Sequence, residues 1–366
     1  MRVLVDALSV RSFSGQHVLL GHLRQLAEWT RGSHTFLLLH DAAQTGWVEQ
    51  VPDAMVRLPV PRSLTSWSHR LLWQSVVLPR RLKEWAVDLV FTTSGILLPR
   101  CRLPQVCYAP NPWCLVTGVH QGRGERYKAA LQRRGYRTAV HHAAMMCYIS
   151  RHLRDLYRAN AGGAVERACE VAYCGIDDNV FQTAMHASET VVRQPDLIVS
   201  VSAMAPWKGA ETLVEALALL HRSGCRAKLR LVGPWPDARY ERLVRQRVKS
   251  LGLNDFVCIT GQVSKAELCR HYAEARVYCL MSHCESFGIP AVEAQAFGTP
   301  VVGSTACAMP EVCGAGGVFC PPDDARQAAA LLRQFLEDPS AWETYSHRAR
   351  ENAARYRWDL CSRPLL

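Results

Sequence analysis

Two glutamates, separated by seven residues, flank a glycine turn that follows a short apolar run. Glu285 stands before the turn, whose residues are Ser286, Phe287, Gly288 and Ile289, and Glu293 lies in the segment after it. The apolar run 277–281 predicts a buried parallel strand, and Pro290 suits the first turn of a helix. A strand, a glycine turn and a helix N-terminus together offer N–H groups and a positive dipole end to an anion, usually a phosphate.

These groups suit a nucleotide diphosphate sugar, which carries its diphosphate between two sets of hydroxyls. The turn could bind the phosphates while Glu285 and Glu293 accept hydrogen bonds from the hydroxyls, each worth roughly 1.5–3 kcal/mol. A structural interpretation is also open. In it, Glu285 is a solvated loop residue and Glu293 only neutralises the helix dipole.

The stretch 285–302, ESFGIPAVEAQAFGTPVV, resembles the signature of the retaining glycosyltransferases of family 4, also called glycosyl transferases group 1. In that family the first glutamate approaches the donor sugar and the second binds the ribose, so the resemblance implies these roles for Glu285 and Glu293. It also implies the GT-B fold, an α/β architecture of two doubly wound Rossmann-like domains facing a cleft.

Two further donor-side candidates follow predicted strands. Lys208-Gly209 resembles the family's K-G pair, whose lysine binds the donor diphosphate, and Gly233 ends the predicted strand 228–232. The family often has an arginine shortly before the lysine, where this chain has Ser202 and Ala203. Lys208 could instead be a surface lysine at a helix start.

Two candidates lie in the first half of the chain. Gly15, in a predicted loop over residues 7–16, is the best match to the family's glycine loop, although an ordinary loop glycine would look the same. No G-x-G-x-x-G is present, so the dinucleotide fingerprint is missing. Asn111 stands where many family members have a histidine. It could bond a sugar hydroxyl but cannot take a proton, and it could equally be a turn residue.

Alternating strand and helix patterns predict parallel sheets covered by helices on both faces. The resemblance implies that residues 1–190 form the acceptor-side Rossmann-like domain, 191–345 the nucleotide-sugar-binding domain, and 346–366 a terminal helix that crosses back to the first domain. Residues 181–194 are expected to be a linker. The stretch 67–85 predicts one long amphipathic helix with an interruption at Pro79.

Composition excludes several classes of protein. The 366 residues are 49% hydrophobic and 20% charged, which indicates a globular chain. There are 15 cysteines but no C-x-x-C pair and no cysteine–histidine spacing typical of zinc, so neither a disulfide framework nor a metal site is predicted. No apolar run could span a bilayer, and the chain opens on a strand pattern; both features predict a cytoplasmic protein.

The formal net charge of +11 is concentrated early in the chain. Residues 1–190 hold 22 Lys and Arg against 14 Asp and Glu, and the remainder holds 21 against 18. The densest segment, Arg123 to Arg137, could be a solvated helix face, a peripheral contact with the inner face of an anionic membrane, or a contact with a phosphate-bearing acceptor. Nucleic acid ranks lower, because no nucleic-acid-binding motif accompanies the charge.

The sequence therefore predicts a hexosyltransferase that moves a sugar, with retention, from a nucleotide diphosphate donor to a saccharide or lipid-linked acceptor, in polysaccharide or glycolipid biosynthesis. No Asp-x-Asp occurs, so no metal or other cofactor is implied. One alternative is an inactive, glycosyltransferase-like subunit that binds the nucleotide sugar. Another is a nucleotide-sugar epimerase or dehydrogenase, against which the missing glycine fingerprint argues.

Overall fold

A computed structural model describes residues 1–120 and 122–366, and its strands form two sheets in which neighbouring strands are parallel. The strands are β1 (Arg2–Asp6), β2 (Thr35–Asp41), β3 (Val56–Val60), β4 (Leu89–Thr92), β5 (Gln105–Ala109), β6 (Met145–Tyr148), β7 (Cys169–Val171), β8 (Leu197–Val201), β9 (Lys228–Val232), β10 (Val257–Gly261), β11 (Val277–Leu280), β12 (Val301–Ser304) and β13 (Gly317–Cys320).

Helices connect the strands, as parallel pairing requires a crossover from the end of one strand to the start of the next. They are α1 (Phe13–Trp29), α2 (Thr45–Val48), α3 (Trp67–Val76), α4 (Leu78–Glu84), α5 (Gly122–His142), α6 (Arg151–Asn160), α7 (Asp178–Thr190), α8 (Ala210–Arg222), α9 (Ala238–Ser250), α10 (Lys265–Glu274), α11 (Ile289–Ala296), α12 (Met309–Cys313), α13 (Ala325–Glu337), α14 (Pro339–Ala353) and α15 (Trp358–Ser362). Within the described ranges, no helix combines the length and apolar character needed to cross a bilayer.

The chain divides into two compact units. Unit 1 comprises residues 1–175 together with 358–366, and unit 2 comprises residues 176–357. The segment expected to be a linker is largely helical, because α7 occupies residues 178–190 and belongs to unit 2. Helix α14 also belongs to unit 2, so the part of the C-terminus that joins unit 1 is the short stretch 358–366.

Each unit has the strand order of a doubly wound sheet. Unit 1 has the order β3-β2-β1-β4-β5-β6-β7, and unit 2 has β10-β9-β8-β11-β12-β13. The order reverses between β1 and β4 in unit 1 and between β8 and β11 in unit 2, where Val277 pairs with Ile198. Ligands of such sheets bind outside the carboxyl ends of the strands at this reversal.

The central strands are largely apolar because helices cover both faces of each sheet. In β1, Val3, Leu4 and Val5 are buried, and all five residues of β8 are buried. In unit 2 the core formed by these strands is completed by side chains of α8, α9 and α13.

Two local expectations need correction. The predicted loop over residues 7–16 ends early, because Ser12 caps α1 by accepting a hydrogen bond from the Gly15 N–H and the helix starts at Phe13. The predicted helix over residues 67–85 is two helices, α3 and α4, with the break at Val77. Pro79 lies in the first turn of α4, where its missing N–H removes no helical hydrogen bond.

Candidate functional site

The glycine turn lies at the reversal of strand order in unit 2, directly after β11. Gly288 has a φ of 97° and caps α11 at its N-terminus. A Cβ at this position would lie 2.8 Å from the Met309 sulfur, so both the backbone angle and the space require glycine. Pro290 has no N–H, and the Ala291 N–H donates to the Gly288 carbonyl at 2.9 Å. The turn places the N-terminus of α11, the positive end of the helix dipole, after the carboxyl end of β11.

Lys208 lies in the segment that follows β8, the strand adjacent to β11, and its side chain extends to the turn. Its ammonium donates hydrogen bonds to the Glu285 carboxylate and, at 3.5 Å, to the Cys284 carbonyl. Burial alone lowers the pKa of Lys208, but the Glu285 carboxylate more than offsets this, so that the pKa lies above its usual value. Lys208 is consequently a charged ammonium beside the turn, with Glu285 as its counter-ion.

The two segments that follow β8 and β11 are joined by short-range packing. The His283 N–H donates to the Trp207 carbonyl at 2.8 Å. Gly209 has a φ of 70°, and a Cβ there would lie 2.1 Å from the Met281 carbonyl oxygen. This close approach brings together Lys208 and Glu285, which are 77 residues apart in the chain.

Glu293 is buried and is held by two side chains of α10. One carboxylate oxygen accepts from Lys265 Nζ at 2.6 Å and the other from the Tyr272 hydroxyl at 3.0 Å. Burial and the Glu293 carboxylate raise the pKa of Tyr272 well above its usual value, so the phenol is protonated and donates. Of the two partners, Lys265 is the more exposed, and it marks the side from which Glu293 can be reached.

Lys265 and Tyr272 escaped the sequence analysis because no familiar motif contains them. A signal was present, however. They are seven residues apart on α10, a spacing that places two side chains on the same face of a helix. The helix starts at a capping box formed by Ser264 and Glu267. Recognising Glu293 as a partner needed the tertiary structure.

The remaining predicted site residues lie elsewhere. Gly233, at the carboxyl end of β9, has a φ of 131°, and a Cβ there would lie 2.0 Å from the Ser202 carbonyl oxygen. Gly15 is in the first turn of α1 in unit 1, and its N–H is occupied by Ser12. Asn111 follows β5 in unit 1, is exposed, and accepts a hydrogen bond from the Trp113 N–H at 2.9 Å, as a turn residue does.

Unit 1 has a polar cluster at its own reversal of strand order. Asp6, at the end of β1, accepts hydrogen bonds from the Leu8 N–H at 3.2 Å and from Gln74 Nε2 at 2.8 Å. Burial raises the pKa of Asp6 to about 6, although Leu8, Arg70 and Gln74 each lower it. Nearby, Arg11 forms an ion pair with the buried Asp41 of β2. The sequence analysis did not single out this cluster.

Comparison with known proteins gives sequence relatives and structural neighbours of the chain. Residues 181–356 match the family described as glycosyl transferases group 1. The chain is 33% identical over 229 residues to a D-inositol 3-phosphate glycosyltransferase of Kineococcus radiotolerans, covering 57% of this chain and 52% of that protein. It is 37% identical over 169 residues to an MMP alpha-(1->4)-mannosyltransferase of Mycolicibacterium hassiacum, covering 45% and 39%. The chain thus spans about half the length, or less, of these relatives.

Solved structures share the fold across almost the whole chain. A sucrose-phosphate synthase from Thermosynechococcus elongatus has a TM-score of 0.76 at 19% identity, covering 99% of this chain and 96% of that one. An Anabaena protein in complex with UDP and glucose has a TM-score of 0.72 at 19% identity, covering 100% and 98%. At this level of identity the likeness shows the fold alone. Residues 181–356 are thus similar to the glycosyl transferases group 1 family, and the two Rossmann-like units of the chain have the GT-B fold.

Proposed function

We propose that the protein is a glycosyltransferase that moves a hexose from a nucleotide diphosphate sugar to an acceptor, with retention of the anomeric configuration. The observation that carries this proposal is the Lys208–Glu285 ion pair beside the N-terminus of α11. The pair places a cation for the diphosphate and a carboxylate for the sugar hydroxyls beside the same glycine turn. The curated relatives named above are themselves glycosyltransferases.

In this proposal, donor binding exchanges one anion for another at Lys208. The donor diphosphate replaces the Glu285 carboxylate as the partner of the Lys208 ammonium. The Glu285 carboxylate then accepts hydrogen bonds from the hydroxyls of the sugar. The N–H groups at the start of α11 and Lys208 stabilise the negative charge that grows on the departing diphosphate. Glu293, oriented by Tyr272 and Lys265, accepts hydrogen bonds from the ribose hydroxyls. No metal or other cofactor is part of the proposal.

Unit 1 would supply the acceptor side. Parallel sheets bind ligands at the carboxyl ends of their strands, where Asp6, the Arg11–Asp41 pair and Asn111 lie. The acceptor is a saccharide or a lipid-linked saccharide, which would place the reaction in polysaccharide or glycolipid biosynthesis. Helix α5, whose residues 123–137 carry the cluster of cations, provides a peripheral contact with an anionic membrane.

Isothermal titration with UDP, GDP and their sugars tests the donor site. Lys208→Ala and Glu293→Ala should each weaken nucleotide binding about tenfold or more, because each removes a charged hydrogen-bonding group. Lys228→Ala is the matched control. Lys228 also forms an ion pair, with Asp196 at 2.9 Å, but it stands at the opposite end of its strand from the site.

If both site variants bound nucleotide as tightly as the parent, the site assignment would fail. A turnover assay with the bound nucleotide sugar then separates an enzyme from a binding subunit. Donor binding without hydrolysis or transfer to any saccharide would favour the inactive alternative. The turn-forming role of Asn111 is the observation that supports this alternative.

A further inference from the structure

Helix α3 of unit 1 packs one aromatic side chain, Trp73, and two polar side chains against the protein. Gln74 is buried and donates to the Asp6 carboxylate, and Arg70 donates to the Leu8 carbonyl at 3.3 Å. Four large apolar side chains of the same ten-residue helix face the solvent: Trp67 is 55% exposed, Leu71 47%, Leu72 64% and Val76 55%. They form two i,i+4 pairs, Trp67 with Leu71 and Leu72 with Val76, on the two sides of Ser68 and Ser75. An amphipathic helix normally buries most of its large apolar side chains, and exposed apolar groups of this size mark a surface that another body covers.

Exposed cations follow this apolar group in the chain. Arg80, Arg81 and Lys83 lie on the next helix, α4, where Arg81 forms an ion pair with Glu84 at 2.7 Å. Unit 1 as a whole carries 23 Lys and Arg against 12 Asp and Glu, whereas unit 2 carries 20 of each. The entire net charge of +11 therefore resides in the unit that exposes α3.

Helix α5 contributes to the same side of unit 1. The crossovers from β3 to β4 and from β5 to β6 step in the same direction across the sheet. Because such crossovers are right-handed, α3, α4 and α5 lie on one face of the sheet. The exposed side chains of α5 include these cations and apolar groups: Arg123, Arg126, Tyr127, Lys128, Leu131, Arg134 and Arg137.

The net positive charge of unit 1 indicates which kind of partner binds this face. A second copy of the chain, docked face to face, would set one unit with a surplus of 11 cations against another, which electrostatic repulsion opposes. An anionic lipid surface accommodates both features, since its headgroups attract lysine and arginine while its interface takes up leucine and tryptophan side chains. We propose that the outward face of α3, with Trp67, Leu71, Leu72 and Val76, inserts into the interface of an anionic phospholipid bilayer, and that the cations of α4 and α5 bind its headgroups.

This docking has a consequence that rests on the proposed function. The inner side of α3 touches Asp6 at the carboxyl end of β1, so the bilayer would lie about one helix diameter, roughly 10 Å, from the polar cluster of unit 1. An acceptor carried by a lipid would then reach that cluster without leaving the membrane. The docking therefore favours the lipid-linked class of acceptor over a free saccharide.

The test is co-sedimentation of the full chain with phosphatidylcholine vesicles, with and without phosphatidylglycerol. The parent should bind the mixed vesicles and not those of phosphatidylcholine alone. Leu71→Gln/Leu72→Gln should lower binding to the mixed vesicles about tenfold or more, because two inserted leucines are lost while helix propensity is kept. Leu243→Gln on α9 of unit 2 is the matched control, as Leu243 is 47% exposed, like Leu71, and should bind as the parent does.

Two results would overturn the docking. One is unchanged vesicle binding by Leu71→Gln/Leu72→Gln. The other is a parent protein that does not bind vesicles but forms a concentration-dependent dimer, where Leu71→Gln/Leu72→Gln is monomeric. That result would assign the face to contact with a second copy of the chain. Titration with UDP and GDP keeps the two proposals apart. Vesicle binding without nucleotide binding would refute the proposed function alone, and nucleotide binding with unchanged vesicle binding by the variant would refute the docking alone.

Discussion

At the scale of single residues, two lysine–glutamate pairs organise the candidate site. The seven-residue spacing of Glu285 and Glu293, together with Lys208, could be predicted from the sequence because these residues sit in recognisable turns after strands. Lys265 and Tyr272 could not be predicted, since their roles exist only through contact with a residue on another helix. Asp6 is a similar case in unit 1, where its burial and its bond to Gln74 depend on how α3 packs.

The raised pKa of Asp6 predicts a pH-dependent stability. The native carboxyl holds its proton up to a pH of about 6, whereas the unfolded chain releases it near 3.8, so its contribution to stability is fully present below pH 3.8 and is lost as pH rises through 6. The total loss is about 3 kcal/mol, at about 1.4 kcal/mol per pKa unit. Asp6→Asn cannot ionise and should avoid this loss.

Urea unfolding at pH 4 and pH 7 measures the effect. Relative to the parent, the free energy of unfolding of Asp6→Asn should improve by up to about 3 kcal/mol between the two pH values. Asp53→Asn, at an exposed carboxylate, is the control substitution. A difference between Asp6→Asn and the parent that is the same at both pH values would contradict the prediction.

At the scale of elements, the C-terminal segment shows how a short helix is placed. Helix α15 packs Trp358 against α1, where a Cβ on Gly21 would lie 2.3 Å from the indole ring. His22 Nδ1 lies 2.8 Å from the Ser362 hydroxyl. A terminal helix joining the first unit was expected from the sequence, but its extent depends on these contacts, which a local pattern does not contain.

Gly21→Ala should destabilise unit 1, because the added methyl group must displace the partly buried indole of Trp358. The expected loss is about 1–3 kcal/mol, the usual cost of overpacking. Gly124→Ala is the matched control within the exposed α5, where an added Cβ meets nothing within 4 Å. It should instead stabilise the protein by about 0.5–1 kcal/mol through helix propensity. Thermal unfolding of both variants provides the measurement, and a Gly21→Ala variant as stable as Gly124→Ala would refute the packing argument.

At the scale of the whole molecule, charge divides between the units. The first half of the sequence already showed a surplus of cations, but the boundary at residue 175 and the return of residues 358–366 make the division complete, with a surplus of 11 in unit 1 and none in unit 2. Unit 1 is thereby suited to an anionic surface. Unit 2 has no net formal charge, and it places the Lys208 ammonium, paired with Glu285, beside the N-terminus of α11.

This division predicts two separate footprints in amide hydrogen exchange. UDP or GDP should slow exchange most strongly at residues 204–212 and 284–296 of unit 2, which contain Lys208 and the glycine turn. Mixed phosphatidylcholine and phosphatidylglycerol vesicles should slow it most strongly at residues 66–84 and 122–142 of unit 1. Mass spectrometry of the peptides measures both, and strongest vesicle protection within unit 2 would contradict the assignment.

The sequence by itself determined what depends on neighbours along the chain: the buried parallel strands, the glycine turn with its two glutamates, and the resemblance to a glycosyltransferase family. The tertiary structure decided what depends on strand order. Because β8 lies beside β11, Lys208 meets Glu285 across 77 residues, and α10 brings Lys265 and Tyr272 to Glu293. It also decided which side of α3 faces the solvent. Gln74 on the inner side of the helix donates to Asp6, and Leu71 and Leu72 on the other side are exposed.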